Sequence, residues 1–323
     1  MVESARERAH PWVVEGHGAL RFGVAGGPTD WGALRDFVQM AEGLGFDSYW
    51  SPDHPMLRPD CWTTLAAVAA STSRLRLGSM VSCVYYRHPV LLGRIVADVD
   101  RLSGGRVVLG LGAGDLEAEF RAMGMSYPPV RQRLAALAET LEIIPPLLRG
   151  EEVSHLGDQL RVEGARLPLP PLQQPHVPLL VAGGGERTTL RLVAQYADAS
   201  NLVAAEWGGG AFTLADVQRK YALLQQHCEA LGRPYPAVLR TFHFVPTLLG
   251  DSPAELEVKR ARVPPTLLQF AGQAALMGTP EQAAERLRPL AKAGCEYFTF
   301  AAMEPDTLRL LAERLIPALS MPV

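Results

Sequence analysis

Eight short apolar runs alternate with helical patterns along this chain of 323 residues, and that rhythm constrains the fold most tightly. The runs are Leu20–Gly26, Asp47–Trp50, Leu75–Cys83, Val107–Asp115 with its exit loop, Leu179–Ala182, Asp198–Leu202, Ala237–Leu248 and Glu296–Ala301. Between them, apolar residues fall on one helical face, as in Leu34, Phe37, Val38, Ala41 and Leu44, or Leu92, Ile95, Val96, Val99 and Leu102. Alternating strands and helices give a parallel sheet with right-handed crossovers. At eight units the closed (β/α)8 TIM barrel is favoured over an open doubly wound sheet. The α/β chain therefore reads as one barrel domain over 18–323. Residues 1–17 read as a flexible N-terminal arm.

Two stretches interrupt the rhythm. The helix marked by Leu134, Leu137, Ala138, Leu141 and Ile144 is predicted to kink or end at Pro145 and Pro146. Residues 150–177 read as an irregular insertion near the mouth of the barrel, since long loops often cover sites. Its last part, Pro168 to Pro178, holds five prolines. A stiff connector is favoured there over a polyproline segment that binds a partner.

Composition removes several classes. The chain is 48% hydrophobic and 20% charged with net charge −3, and it has no block of Lys and Arg, so nucleic acid is a poor partner. No apolar run reaches the roughly 18 residues of a spanning helix. The first residues lack the apolar core of a secretory signal. Cys61, Cys83, Cys228 and Cys295 are far apart, which argues for reduced thiols in a cytoplasm and against a zinc site. No metal-ligand cluster is visible.

In a barrel the chemistry lies at the C-terminal ends of the strands. Val177 to Asn201 reads as strand, glycine turn and helix, with Gly183, Gly184 and Gly185 in the turn. Backbone without Cβ atoms approaches a ligand closely, and the helix start that follows favours a phosphate. Arg187 and Thr188 are placed to add charge and a hydrogen bond. The alternative is a tight turn that needs glycine for geometry alone. Asp53-His54 ends strand two, Ser82 and Cys83 end strand three, Gly114-Asp115 ends strand four with Glu119 behind, and Asn201 lies in strand six. His54 can hold or donate a proton; the alternative is a histidine satisfied by loop backbone. Asp115 and Glu119, four apart, could serve as proton donor and ribityl hydroxyl acceptor, or as carboxylates favouring a helix start. His88 reads as a helix-opening residue and His243 as structural. Nothing near Cys83 would activate its thiol as a nucleophile.

Several motifs resemble a known family. They are Gly45-Phe46-Asp47-Ser48-Tyr49-Trp50 with Asp53-His54, Leu65-Ala66-Ala67, Arg76-Leu77-Gly78, and Leu102-Ser103-Gly104-Gly105-Arg106 running into Leu109-Gly110-Leu111-Gly112-Ala113-Gly114. Together they resemble the bacterial luciferase-like flavin monooxygenase superfamily. The run Gly183-Gly184-Gly185-Glu186-Arg187-Thr188-Thr189-Leu190-Arg191-Leu192, ending in Tyr196-Ala197-Asp198-Ala199-Ser200-Asn201, is similar to its coenzyme F420-dependent oxidoreductases. The resemblance implies F420, with FMN as the alternative, across the C-terminal mouth of a barrel. It implies catalytic roles for His54 and Asp115. Asp53, Ser82, Cys83, Gly114, Glu119, Gly183, Gly184, Gly185, Glu186, Arg187, Thr188 and Asn201 would hold the cofactor. It also implies a non-proline cis peptide at Ser82-Cys83 or a residue either side, a small-molecule substrate and a homodimer. Arg58 stands near the place where some relatives carry an aromatic residue, which alters the substrate side of the pocket.

With F420 the reaction is hydride transfer to or from an organic substrate. With FMN it is oxygen chemistry, as in a monooxygenase. A flavin- or deazaflavin-binding protein with little turnover is the reading from a different class.

Overall fold

The computed structural model describes residues 9–16, 18–302 and 304–320. Its strands are β1 (Arg21–Ala25), β2 (Ser48–Ser51), β3 (Arg76–Ser79), β4 (Ser82–Cys83), β5 (Val107–Gly112), β6 (Val153–Leu156), β7 (Arg161–Ala165), β8 (Leu179–Ala182), β9 (Ala199–Val203), β10 (Leu239–Leu249), β11 (Leu276–Gly278) and β12 (Tyr297–Ala302). Eight parallel strands close into a barrel surrounded by helices, the (β/α)8 class expected from the alternation. The chain divides into two compact units, residues 50–182 and the segments up to 49 and from 183 on.

In the unit of residues 50–182, β3 and β4 both pair with β5, and β5 pairs with β8, all in parallel. The third expected strand is therefore two pieces, divided at Met80-Val81, whose peptide bond is cis. That bond lies one residue before the range expected for it. Glycine is required along these strands because neighbours leave no room. A Cβ at Gly78 would sit 2.0 Å from the Trp50 ring, and one at Gly110 2.0 Å from the Ser79 carbonyl oxygen. Arg106 of the Ser-Gly-Gly-Arg motif ties the N-terminal ends together. Its guanidinium donates to the carbonyls of Ser103, Leu75, Ala69 and Thr72 at 2.7–3.0 Å.

Helix Val130–Leu148 continues past Pro145 and Pro146 instead of ending at them. Each proline forfeits one helical N–H, but Ile143, Ile144, Leu147 and Leu148 are all buried, and that burial holds the last turn in place. The segment after it also differs from expectation. Residues 153–165 form an antiparallel hairpin, β6–β7, rather than an irregular loop. Glu139 pins its tip, accepting the N–H groups of Asp158, Gln159 and Leu160. The proline-rich stretch is anchored as well. Asp100 accepts the N–H groups of Leu172 and Gln173 at 2.7 and 3.1 Å, and the Gln173 side chain bonds Asp100 and the Val107 carbonyl. Val107 begins β5, so this stretch lies at the N-terminal end of that strand, away from the mouth where the insertion was expected.

In the other unit β9 and β12 flank β10, β12 pairs with β1, and β11 adds to β10, all in parallel. Phe22, Phe244, Phe298 and Phe300 stack between these strands at 6.1–6.4 Å, and Phe242 tilts against Phe244 at 5.0 Å within β10. The N-terminal arm falls partly outside the described residues. From Pro11 to Gly16 the chain is helical, with Trp12 and Val13 buried, so this part of the arm is docked rather than loose.

Candidate functional site

One group of polar residues gathers at the C-terminal ends of β2, β4 and β5, in the unit of residues 50–182. Past β2 the chain turns sharply, with the His54 carbonyl accepting the N–H groups of Leu57 and Arg58. Asp60 then caps helix Cys61–Ser71 through the Thr63 N–H. Arg87, just past β4, reaches back to this loop and pairs with both Asp53, at 2.7 Å, and Asp60. Asp53 also accepts the Cys83 N–H at 3.2 Å. The Asp53 carboxyl is thus committed to tying the His54 loop to β4. Burial raises its pKa and the Arg87 contact works against that rise.

His54 is held by Glu119. Its Nδ1 lies 2.9 Å from Glu119 Oε2, and its side chain keeps 34% exposure while that of Glu119 has 2%. The same Oε2 accepts the Tyr86 hydroxyl at 3.1 Å, and Oε1 accepts the Met56 N–H at 3.3 Å. Burial holds the Tyr86 phenol well above its ordinary pKa, so it stays a donor. Glu119 therefore serves protein donors, which differs from the expected ribityl hydroxyl acceptor.

Asp115 lies close enough to His54 and Glu119 for their charges to act on it. Its side chain is open to solvent. Desolvation by the surrounding chain raises its carboxyl pKa, while His54 pulls it down and Glu119 pushes it up. Gly114 has φ +81°, and a Cβ there would lie 2.8 Å from Cys83 Sγ. Arg133 donates to the Gly114 carbonyl and covers the Tyr127 ring. Burial pushes the Cys83 thiol up to about 12, consistent with no nucleophilic role. The Ser82 hydroxyl is buried and accepts the Trp62 indole N–H at 3.0 Å.

A second group lies in the other unit, at the glycine turn. Gly183 adopts φ +123°. Its N–H donates to the Asn201 carbonyl at 3.1 Å, and the Gly184 N–H donates to Gly208 at 2.8 Å. Gly209 must lack a Cβ, which would fall 2.6 Å from the Gly184 nitrogen. Lys220, whose residue is 3% exposed, donates its ammonium to the Gly184 carbonyl at 2.8 Å. Glu186 pairs with Arg219 at 3.0 Å and Lys220 at 3.4 Å, and the Arg219 contact lowers its carboxyl pKa. The Asn201 amide donates to Thr241. Glu186 and Asn201 thus build the turn. What the turn has left to offer a ligand is different. The N–H groups of Gly185, Glu186 and Arg187 have no acceptor among the described residues, and Arg187 is exposed without an ion pair among them. Thr188 is exposed and makes no capping bond. Helix Thr189–Tyr196 follows.

His88 caps helix Pro89–Ser103, accepting the Val90 N–H, and His243 bonds Thr299; both roles are the ones expected. Lys220, Arg87 and Tyr86 had no assigned role in the sequence. Lys220 had left a signal: it shares a helix face with Val217, Tyr221, Leu224 and Cys228, all buried. A lysine on an apolar stripe is held by something specific.

Residues 13–270 match the family described as luciferase-like monooxygenase. The chain belongs to the luciferase-like monooxygenase family. Its relatives within or near the family include the 5,10-methylenetetrahydromethanopterin reductase of Methanolobus tindarius, 34% identical over 46% of this chain and 44% of that protein. The F420-dependent glucose-6-phosphate dehydrogenase of Amycolatopsis mediterranei is 32% identical over 53% of this chain and 51% of its own length. The 4-hydroxyprotoasukamycin monooxygenase of Streptomyces nodosus subsp. asukaensis is 32% identical over 49% and 44%. The chain thus spans about half the length of the curated relatives it matches. Among solved structures, the coenzyme F420-dependent tetrahydromethanopterin reductase of Methanopyrus kandleri overlays with a TM-score of 0.79. It covers 94% of this chain and all of that one at 19% identity, a likeness of fold.

Proposed function

We propose that this luciferase-like protein is an F420-dependent oxidoreductase that transfers a hydride between the deazaflavin and a small organic substrate. The carrying observation is a partly exposed histidine, His54, backed by a buried carboxylate, near Asp115, an acid whose carboxyl pKa desolvation raises. Hydride chemistry on a substrate bearing N–H or O–H needs a proton to move as well, and such a pair is suited to move it. Two curated relatives named as F420 or methanopterin enzymes support the reading.

The residues present fit the cofactor. The open N–H groups of Gly185, Glu186 and Arg187, with the exposed Arg187 guanidinium, suit a phosphate. F420 when bound supplies a two-electron hydride carrier. The chain's own work is to hold the phosphate at the glycine turn and to orient His54. It must also keep a proton on, or take one from, Asp115 and His54 Nε2. Ser82, Cys83 and Gly114 would line the ring through backbone and van der Waals contact, since the Ser82 hydroxyl is already engaged. The resemblance also carries the expectation of a homodimer in the cytoplasm.

A second reading, an FMN-dependent monooxygenase, is favoured by the Streptomyces relative named as a monooxygenase. An anaerobic assay separates the two. Reduced F420 is mixed with a panel of carbonyl and imine compounds, and the return of deazaflavin absorbance is followed. Turnover without oxygen is expected; turnover that requires oxygen and FMN would overturn the proposal.

A further inference from the structure

We propose that Glu119 is a positioning residue that fixes the neutral His54 ring with its proton on Nδ1, leaving Nε2 as the basic nitrogen. The purpose of that arrangement rests on the oxidoreductase reading above, but the arrangement itself does not.

The donors around Glu119 decide the tautomer. Met56 presents a backbone N–H to Oε1, and the Tyr86 hydroxyl donates to Oε2. The carboxylate can only accept when ionised, and its one remaining polar partner among the described residues is His54 Nδ1 at 2.9 Å. Nδ1 must then carry the hydrogen. A buried carboxylate behind one ring nitrogen is the arrangement that holds a general base in its working tautomer and stabilises the imidazolium that forms. Glu119 reaches this place because it sits on the buried side of the short helix Glu117–Ala122, next to Phe120. Phe120 is itself packed edge-on against Tyr85 and Tyr127 and tilted against Tyr86, so the helix has little room to rotate. Asp115, which also faces His54, is open to solvent and makes no side-chain bond to it, so it does not compete for Nδ1.

The consequence is chemical. Nε2 accepts a proton as the substrate loses a hydride, or returns one as it gains a hydride. The substrate class is accordingly a pair that differs by a hydride and a heteroatom-bound proton, such as an alcohol and its carbonyl compound. The C–H bond that breaks gives its electron pair to the cofactor, and the O–H proton goes to Nε2.

Glu119→Gln is the informative change because the amide has one fixed neighbour. The Met56 N–H cannot reorient, so the amide oxygen faces it and the amide N–H faces His54 and Tyr86. The Tyr86 hydroxyl can turn to accept. His54 can accept only by moving its proton to Nε2.

The test is nitrogen NMR of ring-labelled histidine in the cofactor-free, full-length protein at a pH where the ring is neutral. Wild type is expected to show His54 protonated on Nδ1, and Glu119→Gln to shift the proton to Nε2. In turnover, Glu119→Gln should lose on the order of 100-fold in kcat, with KM and the F420 dissociation constant within about twofold. Tyr86→Phe, which removes only the second donor, should keep the Nδ1–H form. A wild-type ring protonated on Nε2 overturns the proposal, and that measurement needs no variant to fold. So does a Glu119→Gln protein with an unchanged tautomer and weakened F420 binding, which would return Glu119 to the cofactor. If wild type fails to bind F420 while the NMR result holds, the oxidoreductase reading fails and the tautomer assignment stands.

Discussion

Acid should unfold this protein partly through one histidine that the fold keeps neutral. His243 lies on β10, buried, with Nδ1 bonded to the Thr299 hydroxyl at 2.8 Å. Burial lowers its pKa from 6.5 to about 4, and the Thr299 contact opposes this only in part. The unfolded chain therefore takes up the proton first as pH falls. Stability from this group is intact above about pH 6.5 and is lost on the way down to the folded value. Each pK unit is worth about 1.4 kcal/mol, so the loss is about 2 kcal/mol at about pH 5 and about 3 kcal/mol at about pH 4. His243→Gln keeps a polar group within reach of Thr299 without a titrating ring. Urea unfolding followed by tryptophan fluorescence, at neutral pH and at both acid values, gives the difference between the two proteins. Wild type should lose those amounts beyond the loss seen in the variant. Parallel pH profiles would refute the assignment of a neutral, desolvated ring.

Other outcomes follow from the same contacts. Lys220→Met strands the Gly184 carbonyl and leaves Glu186 with Arg219 alone; thermal unfolding should record a loss of about 2–4 kcal/mol, and F420 binding should weaken with it. Gly209→Ala places a Cβ 2.6 Å from the Gly184 nitrogen at φ +85°, so the glycine turn must shift; F420 affinity should fall at least tenfold, and an unchanged value would refute the close packing there. Asp115→Asn removes a carboxyl whose folded pKa is raised. The folded state holds that proton more tightly than the unfolded chain, so the variant should be the more stable protein at neutral pH, with the gap closing as pH falls into the ordinary carboxylate range. A variant that is less stable at pH 7 contradicts the raised carboxyl pKa of Asp115.

Strand–helix alternation was legible in the sequence because periodicity records burial directly. Leu34, Phe37, Val38 and Ala41 mark a helix in the chain and are the buried face in the fold. The helix does not end at the prolines at 145 and 146 because the rule against helical proline concerns the backbone alone, and the buried isoleucines and leucines around them outweigh it. The hairpin at 153–165 was missed for a different reason. Both of its strands are largely exposed, so no alternation of apolar and polar residues marks them. At the candidate site, His54 and Asp115 were singled out by their place at strand ends. The roles of Glu119, Asp53, Glu186 and Asn201 as supports were not, because a hydrogen-bond partner more than 25 residues away leaves no spacing to read. Lys220 could have been found, since a charged residue on an apolar helix face is a local signal.

Cofactor choice is the central claim, and fluorescence titration of the purified protein with F420 and, separately, with FMN tests it most directly. The account predicts saturable F420 binding that Arg187→Ala weakens, and no comparable FMN binding. Tight FMN binding with none for F420 would contradict it and move the protein to oxygen chemistry. Binding of neither would leave the glycine turn as a structural element alone.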